Sequence, residues 1–106
     1  MKISVIVPVF NVGPYLEGFL DAVLTQEYAG GYEVICVDNG STDGSLEILQ
    51  ARDGVTVLRE AKRGSYAARN CGIRAACGAL LAFVDPDCPP RSSWLAAIGK
   101  AFEQPD

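Results

Sequence analysis

Two carboxylates one residue apart, Asp85 and Asp87, follow directly on the apolar run Leu80-Leu81-Ala82-Phe83-Val84. Carboxylates are hard oxygen ligands suited to Mg²⁺ or Mn²⁺, ions that commonly keep several waters and take further ligands from a substrate phosphate. Pro86 fixes its own φ and pushes Asp85 towards an extended conformation, which lets both acids project to one side. The same triplet has the composition of an acidic turn, since Asp and Pro are ordinary turn formers. Position favours the ligand reading. The preceding run reads as a parallel strand buried on both faces, and ligands of open α/β sheets sit just beyond the carboxyl ends of such strands.

Other chemistries drop out. The chain has no histidine, which removes Ser-His-Asp and Cys-His nucleophiles, imidazole ligands and histidine bases from within it. Cys36, Cys71, Cys77 and Cys88 form no C-x-x-C pair and read as free thiols of a reducing compartment. Neither a G-x-G-x-x-G nor a G-x-x-x-x-G-K-[ST] run occurs, so dinucleotide and P-loop sites are not indicated. A net charge of −4 and a pI near 4.7 lack the cationic footprint that nucleic-acid backbones require. Lys2 precedes a short β-branched run ending at Pro8, with no cleavage pattern and no bilayer-length apolar stretch; a cytoplasmic location is the expectation.

The elements that would position the acids alternate in type. With 106 residues, 49% hydrophobic and 21% charged, the chain is one globular domain's worth. Ile3-Ser4-Val5-Ile6-Val7 predicts a first buried strand, stopped by Pro8. Pro14 opens a helix whose Leu16, Phe19, Leu20, Val23 and Leu24 form one stripe. Tyr32 to Val37 is a second strand, followed by possible N-caps at Ser41, Thr42, Asp43 and Gly44 and a short helix carrying Leu46 and Leu49. Val55 to Leu58 is a third strand. An alanine-rich helix from about Ser65 to Cys77 follows, with Gly78 as its C-terminal cap and small residues that imply close packing. After the fourth strand, Trp94, Leu95, Ile98 and Phe102 mark a last helix. The order β-α-β-α-β-α-β-α predicts an α/β, Rossmann-like three-layer sandwich: a mostly parallel sheet of four strands with helices on both faces.

Every crossover returns through a helix, so the carboxyl ends of the strands share one edge. That edge collects Pro8, Phe10 and Asn11 after the first strand, Asp38-Asn39 after the second, Lys62 and Arg63 after the third, and Asp85-Pro86-Asp87 after the fourth. A nucleoside diphosphate fits this inventory: a metal bridging phosphates, basic side chains, a ring for the base and an acceptor for a base N–H. Each piece has a plainer role too. Asp38 and Asn39 suit an Asx turn or a helix cap, Asp43 a cap, Lys62, Arg63 and Arg69 a solvated face, and Phe10 the core. Cys88 and Trp94 read as structural.

Four blocks carry a resemblance. Ile3-Ser4-Val5-Ile6-Val7-Pro8-Val9-Phe10-Asn11, Val37-Asp38-Asn39-Gly40-Ser41-Thr42-Asp43-Gly44-Ser45, Ala67-Ala68-Arg69-Asn70-Cys71-Gly72-Ile73 and Phe83-Val84-Asp85-Pro86-Asp87 occur in the order found in the amino-terminal half of family 2 glycosyltransferases, inverting enzymes of the GT-A fold that use nucleotide-diphosphate sugars. The resemblance implies Pro8 and Phe10 by the nucleobase, Asp38-Asn39 hydrogen-bonding it, Arg63 or Arg69 near the diphosphate, Asp87 as the Mn²⁺ or Mg²⁺ ligand of a D-x-D motif, and Asp85 facing the ribose or donor sugar while assisting the metal. Many members carry two acids where this chain has Asp38-Asn39. A UDP-sugar is the favoured donor, and a saccharide or lipid-linked hydroxyl the acceptor, with the full protein at the inner face of a membrane. The resemblance also implies an acceptor-binding half with its general base beyond Asp106, so residues 1–106 read as one donor-binding domain of low activity alone. A self-associating or non-catalytic nucleotide-binding module is the alternative; a nucleotidyltransferase would need a basic glycine-rich loop where Phe10-Asn11-Val12-Gly13 stands.

Overall fold

A computed structural model describes residues 1–103. The elements are β1 (Ile3–Val9), α1 (Gly13–Val23), β2 (Tyr32–Asp38), α2 (Ser45–Ala51), β3 (Val55–Arg59), α3 (Ser65–Ala75), β4 (Leu80–Phe83) and α4 (Trp94–Glu103). The alternation expected from the sequence is present, and every strand pair is parallel, in the order β3-β2-β1-β4.

That order carries the layering. The first two crossovers, β1 to β2 and β2 to β3, step one way along the sheet, and the third jumps back past β1 to β4. Right-handed crossovers running in opposite directions place their helices on opposite faces. Accordingly Leu16, Phe19, Leu20 and Val23 of α1, Leu49 of α2 and Leu95 of α4 pack with Ile3, Val5, Val7 and Val9 on one face, and Ala68 of α3 packs with Ile35 and Val37 on the other. Each large apolar side chain fully buried here contributes roughly 1.5–3 kcal/mol. The small residues of α3 allow close contact: a Cβ on Gly72 would stand 2.6 Å from Ile6 Cγ2.

Three expectations are corrected. β4 is not buried on both faces. It is an edge strand among the described residues, with Ala82 buried and Leu81 and Phe83 40% and 45% exposed. β1 does not stop at Pro8 but pairs with β2 through Val9↔Asp38. Proline survives in this central strand because β4 leaves β1 after the Ile6↔Phe83 pair. Asn39 N–H donates to Val9 O on the β2 side and Val84 N–H to Ile6 O on the β4 side, so alternation aims the missing N–H of Pro8 where no ladder remains. Gly78 does not cap α3, which ends at Ala75; a Cβ there would stand 2.6 Å from Ser4 N, so Gly78 serves close approach to β1. Of the four candidate N-caps of α2, Gly44 takes the position, at φ 94°, and makes no side-chain cap bond.

Candidate functional site

The departure of β4 from β1 opens a crevice at the point where the strand order reverses, the place where doubly wound sheets bind ligands. A cavity of about 300 Å³ occupies it, lined by Pro8, Val9, Phe10, Val12, Tyr15, Asn39, Ser65, Asp85, Pro86 and Asp87. Asp85 to Cys88 is a β-turn: Cys88 N–H donates to Asp85 O at 3.0 Å with Pro86 in the second position. Pro86 is buried beneath the turn while Asp85 and Asp87 are exposed. The turn reading and the cavity reading therefore hold together, since a turn at this place presents both carboxylates to the crevice. The adjacent Asp87 carboxylate, as an acceptor and as a charge, pushes the pKa of the Cys88 thiol up.

Asp38 and Asn39 part company. Asp38, 2% exposed, accepts from Gly40 N–H and Ser41 N–H through Oδ2, each at 3.1 Å. Among the described residues its Oδ1 is buried without a partner, a state that costs free energy unless a donor arrives. Asp38 lines a neighbouring cavity with Gly40, Arg59, Glu60 and Ala61. Asn39 donates through Nδ2 to Glu60 O and Lys62 O and accepts from Gly64 N–H through Oδ1, all at 2.8 Å. Both of its donors are committed to the loop after β3.

That loop sets the cations. Arg63 lies with its guanidinium 3.9 Å from the centroid of the Phe10 ring, a cation–π contact that brings it to the mouth of the crevice. Arg69 does not line the cavity; it is partly buried, with its Nε unpartnered among the described residues.

Asn11 also lies outside the lining. It adopts φ 49° and ties two loops: its N–H donates to Ser41 Oγ and its Oδ1 accepts from Thr42 N–H. Val12 N–H donates to Ser45 Oγ, and Gly13 N–H to Asp43 Oδ2 at 3.0 Å. Asp43 Oδ1 accepts from both the N–H and the hydroxyl of Ser45. One carboxylate thus caps the first residues of α1 and α2 together, where helix dipoles favour negative charge. The Ser45 hydroxyl, then Gly13 N–H, hold its pKa below the ordinary carboxylate value.

The sequence reading missed Tyr15 and Ser65 as lining residues. Their signal was positional: each sits in the first turn of a helix that follows a strand end, facing the shared edge.

Among the described residues no group of three or more His, Cys, Asp or Glu side chains converges as a metal site. The available donor set is two carboxylates on one crevice, without imidazole or thiolate. That set suits Mg²⁺ or Mn²⁺, which retain waters and accept phosphate oxygens, and fits no softer metal.

The family profile described as Glycosyl transferase family 2 matches residues 4–106. Glycosyltransferase AglE of Haloferax volcanii is 48% identical over 99 residues, covering 88% of this chain and 33% of that protein. The mannosyltransferase PcManGT from Pyrobaculum calidifontis, solved in complex with GDP-Man and Mn²⁺, superposes with a TM-score of 0.89 at 31% identity, covering 97% of this chain and 32% of that one. S. aureus TarS 1-349 in complex with UDP-GlcNAc gives 0.82 at 30% identity, covering 94% and 30%. The chain spans about a third of the length of the curated relatives it matches.

Proposed function

Since this chain belongs to glycosyl transferase family 2 and matches the amino-terminal part of GT-A glycosyltransferases, we propose that it holds the nucleotide-diphosphate sugar in an inverting transfer to an acceptor hydroxyl. The observation that carries this is the convergence of Asp85 and Asp87 with Phe10 on one crevice at the reversal of strand order. Asp87 would hold a divalent ion and Asp85 the ribose or donor sugar. The ion, when bound, supplies charge neutralisation of the departing diphosphate. Phe10 and Arg63 flank the base end. The unpartnered Asp38 Oδ1 accepts a ring N–H, which uracil and guanine offer at the relevant edge and cytosine and adenine do not. Asn39 acts as a positioning residue, fixing the loop that carries Arg63. Single displacement needs a base on the acceptor hydroxyl; we assign none to the described residues, and the chain alone is expected to bind donor better than it transfers sugar.

Calorimetric titration of UDP and CDP with and without Mn²⁺ tests this. UDP is expected to bind more tightly than CDP, and Mn²⁺ to strengthen both. No nucleotide binding in millimolar Mn²⁺ would remove the reading.

Exposed Leu81 and Phe83 on an edge strand favour a second reading, self-association of the chain through β4. Sedimentation at two concentrations separates the cases: a monomer at both counts against association. Among the described residues no helix is long and apolar enough to cross a membrane.

A further inference from the structure

Charge is unevenly distributed over this acidic chain. Five of its nine Lys and Arg residues, but one of its thirteen acids, fall within residues 59–74, so that segment carries +4 and the remainder −8. The fold gathers the segment on one side, as the end of edge strand β3, the loop after it, and α3, which packs on the opposite sheet face from α1. Arg59, Lys62, Arg63 and Arg74 are all exposed. An open groove of about 430 Å³ lies along α3 between Lys62 and Arg74. Glu60, the single acid, is engaged by Arg74 at 3.7 Å. Tyr66 and Ile73 are 78% and 40% exposed and stand seven positions apart on α3, on one stripe of the helix.

A lone phosphate would be met by cations alone, whereas here exposed apolar side chains stand among them: Lys62, Arg63, Tyr66 and Arg74 line one groove, and Arg59 and Ile73 are exposed next to its lining residues Glu60 and Arg74. Exposed cations interleaved with an exposed tyrosine and isoleucine match an extended anionic surface, with long basic side chains among headgroups and the apolar side chains at the interface. The acids of α1 and α2 lie behind the sheet, and screening over about 8 Å at physiological salt limits their opposition. We propose that the α3 face docks on an anionic phospholipid bilayer, held by Arg59, Lys62 and Arg74 with Tyr66 at the interface. This rests on the charge map and is independent of the donor reading.

The test is co-sedimentation with phosphatidylcholine vesicles, with and without phosphatidylglycerol. Binding is expected only to the anionic vesicles, falling as salt rises. Each basic residue near such a surface is worth about fivefold, so Lys62→Gln with Arg74→Gln should weaken binding roughly 25-fold. Lys2→Gln with Lys100→Gln, outside the segment, should leave it unchanged, and thermal melting checks that both variants fold. Equal binding to neutral vesicles, or equal loss in the control pair, overturns the proposal. So does displacement by millimolar inorganic phosphate at matched ionic strength, which would indicate a discrete phosphate pocket.

Discussion

The Arg63 guanidinium stacks on the Phe10 ring at 3.9 Å, joining the loop after β3 to the loop after β1 across the mouth of the donor crevice. Exposed cation–π contacts are worth about 0.5–1 kcal/mol, so Arg63→Ala should lower stability by about that amount in urea unfolding and weaken UDP binding as the mouth loosens. Phe10→Leu should do the same, and the double variant should lose less than the two losses combined. Strict additivity in the titrations would mean that the pair does not act as a unit.

The two acids of the turn should separate in function. Asp87→Asn is expected to abolish the Mn²⁺-dependent part of UDP affinity, whereas Asp85→Asn should lower affinity and leave a Mn²⁺ increment in place. Titrations at several Mn²⁺ concentrations read both, and identical behaviour would contradict the division of roles.

Asn39→Asp would place a carboxylate against the carbonyl oxygens of Glu60 and Lys62 in place of two donors. Leaving buried acceptors unpaired costs about 1–3 kcal/mol, and urea unfolding should show a loss of that size. Amide exchange in residues 60–64 should speed up with it.

Asp43 gives a pH signature. Its pKa is held below the ordinary 3.8 by Ser45 and Gly13, so its contribution is fully present above about pH 4 and is lost as pH falls through the lowered folded value. Glu33, held low by the Ser4 hydroxyl and then by Cys77 N–H, acts in the same sense. Asp43→Asn should lower the melting temperature at neutral pH, and the gap to wild type should close on acidification. A gap independent of pH would show that the charged form plays no part.

Two glycines that look alike in the sequence should differ. An added Cβ at Gly72 meets the Ile6 side chain at 2.6 Å, but at Gly78 it meets the Ser4 backbone at 2.6 Å. Overpacking costs about 1–3 kcal/mol where side chains yield, so Gly72→Ala should fall in that range. Gly78→Ala should cost more, because a strand backbone cannot step aside without breaking the β1·β4 ladder. Equilibrium unfolding of the two variants decides.

Periodicity carried most of the fold. The stripe Leu16, Phe19, Leu20 and Val23 and the β-branched run of β1 announce burial on their own, and each appears in the core. What failed was what depends on neighbours. An apolar run does not say whether its strand is central or at an edge, so β4 read as buried on both faces. A proline reads as a stop, yet β1 continues past Pro8 because its partner has already left. In the site, residue types pointed to Phe10, Asp38, Asp85 and Asp87, but hydrogen-bond partners assigned Asn39 and Asn11 to loops: their amides bind backbone groups of loops 20 or more positions away.

The shared cap at Asp43 bears on how the chain reaches this structure. Neither α1 nor α2 has an N-cap bond from its own N-cap side chain, and Gly13 is capped by a residue 30 positions on. A β1-α1 segment therefore leaves the Gly13 N–H without its carboxylate acceptor until the loop before α2 is in place. Such a dependence raises the sequence separation of the earliest useful contacts and slows their formation, but it also ties the two helices into one cooperative unit, so that in native-state exchange they should open together rather than fray one at a time.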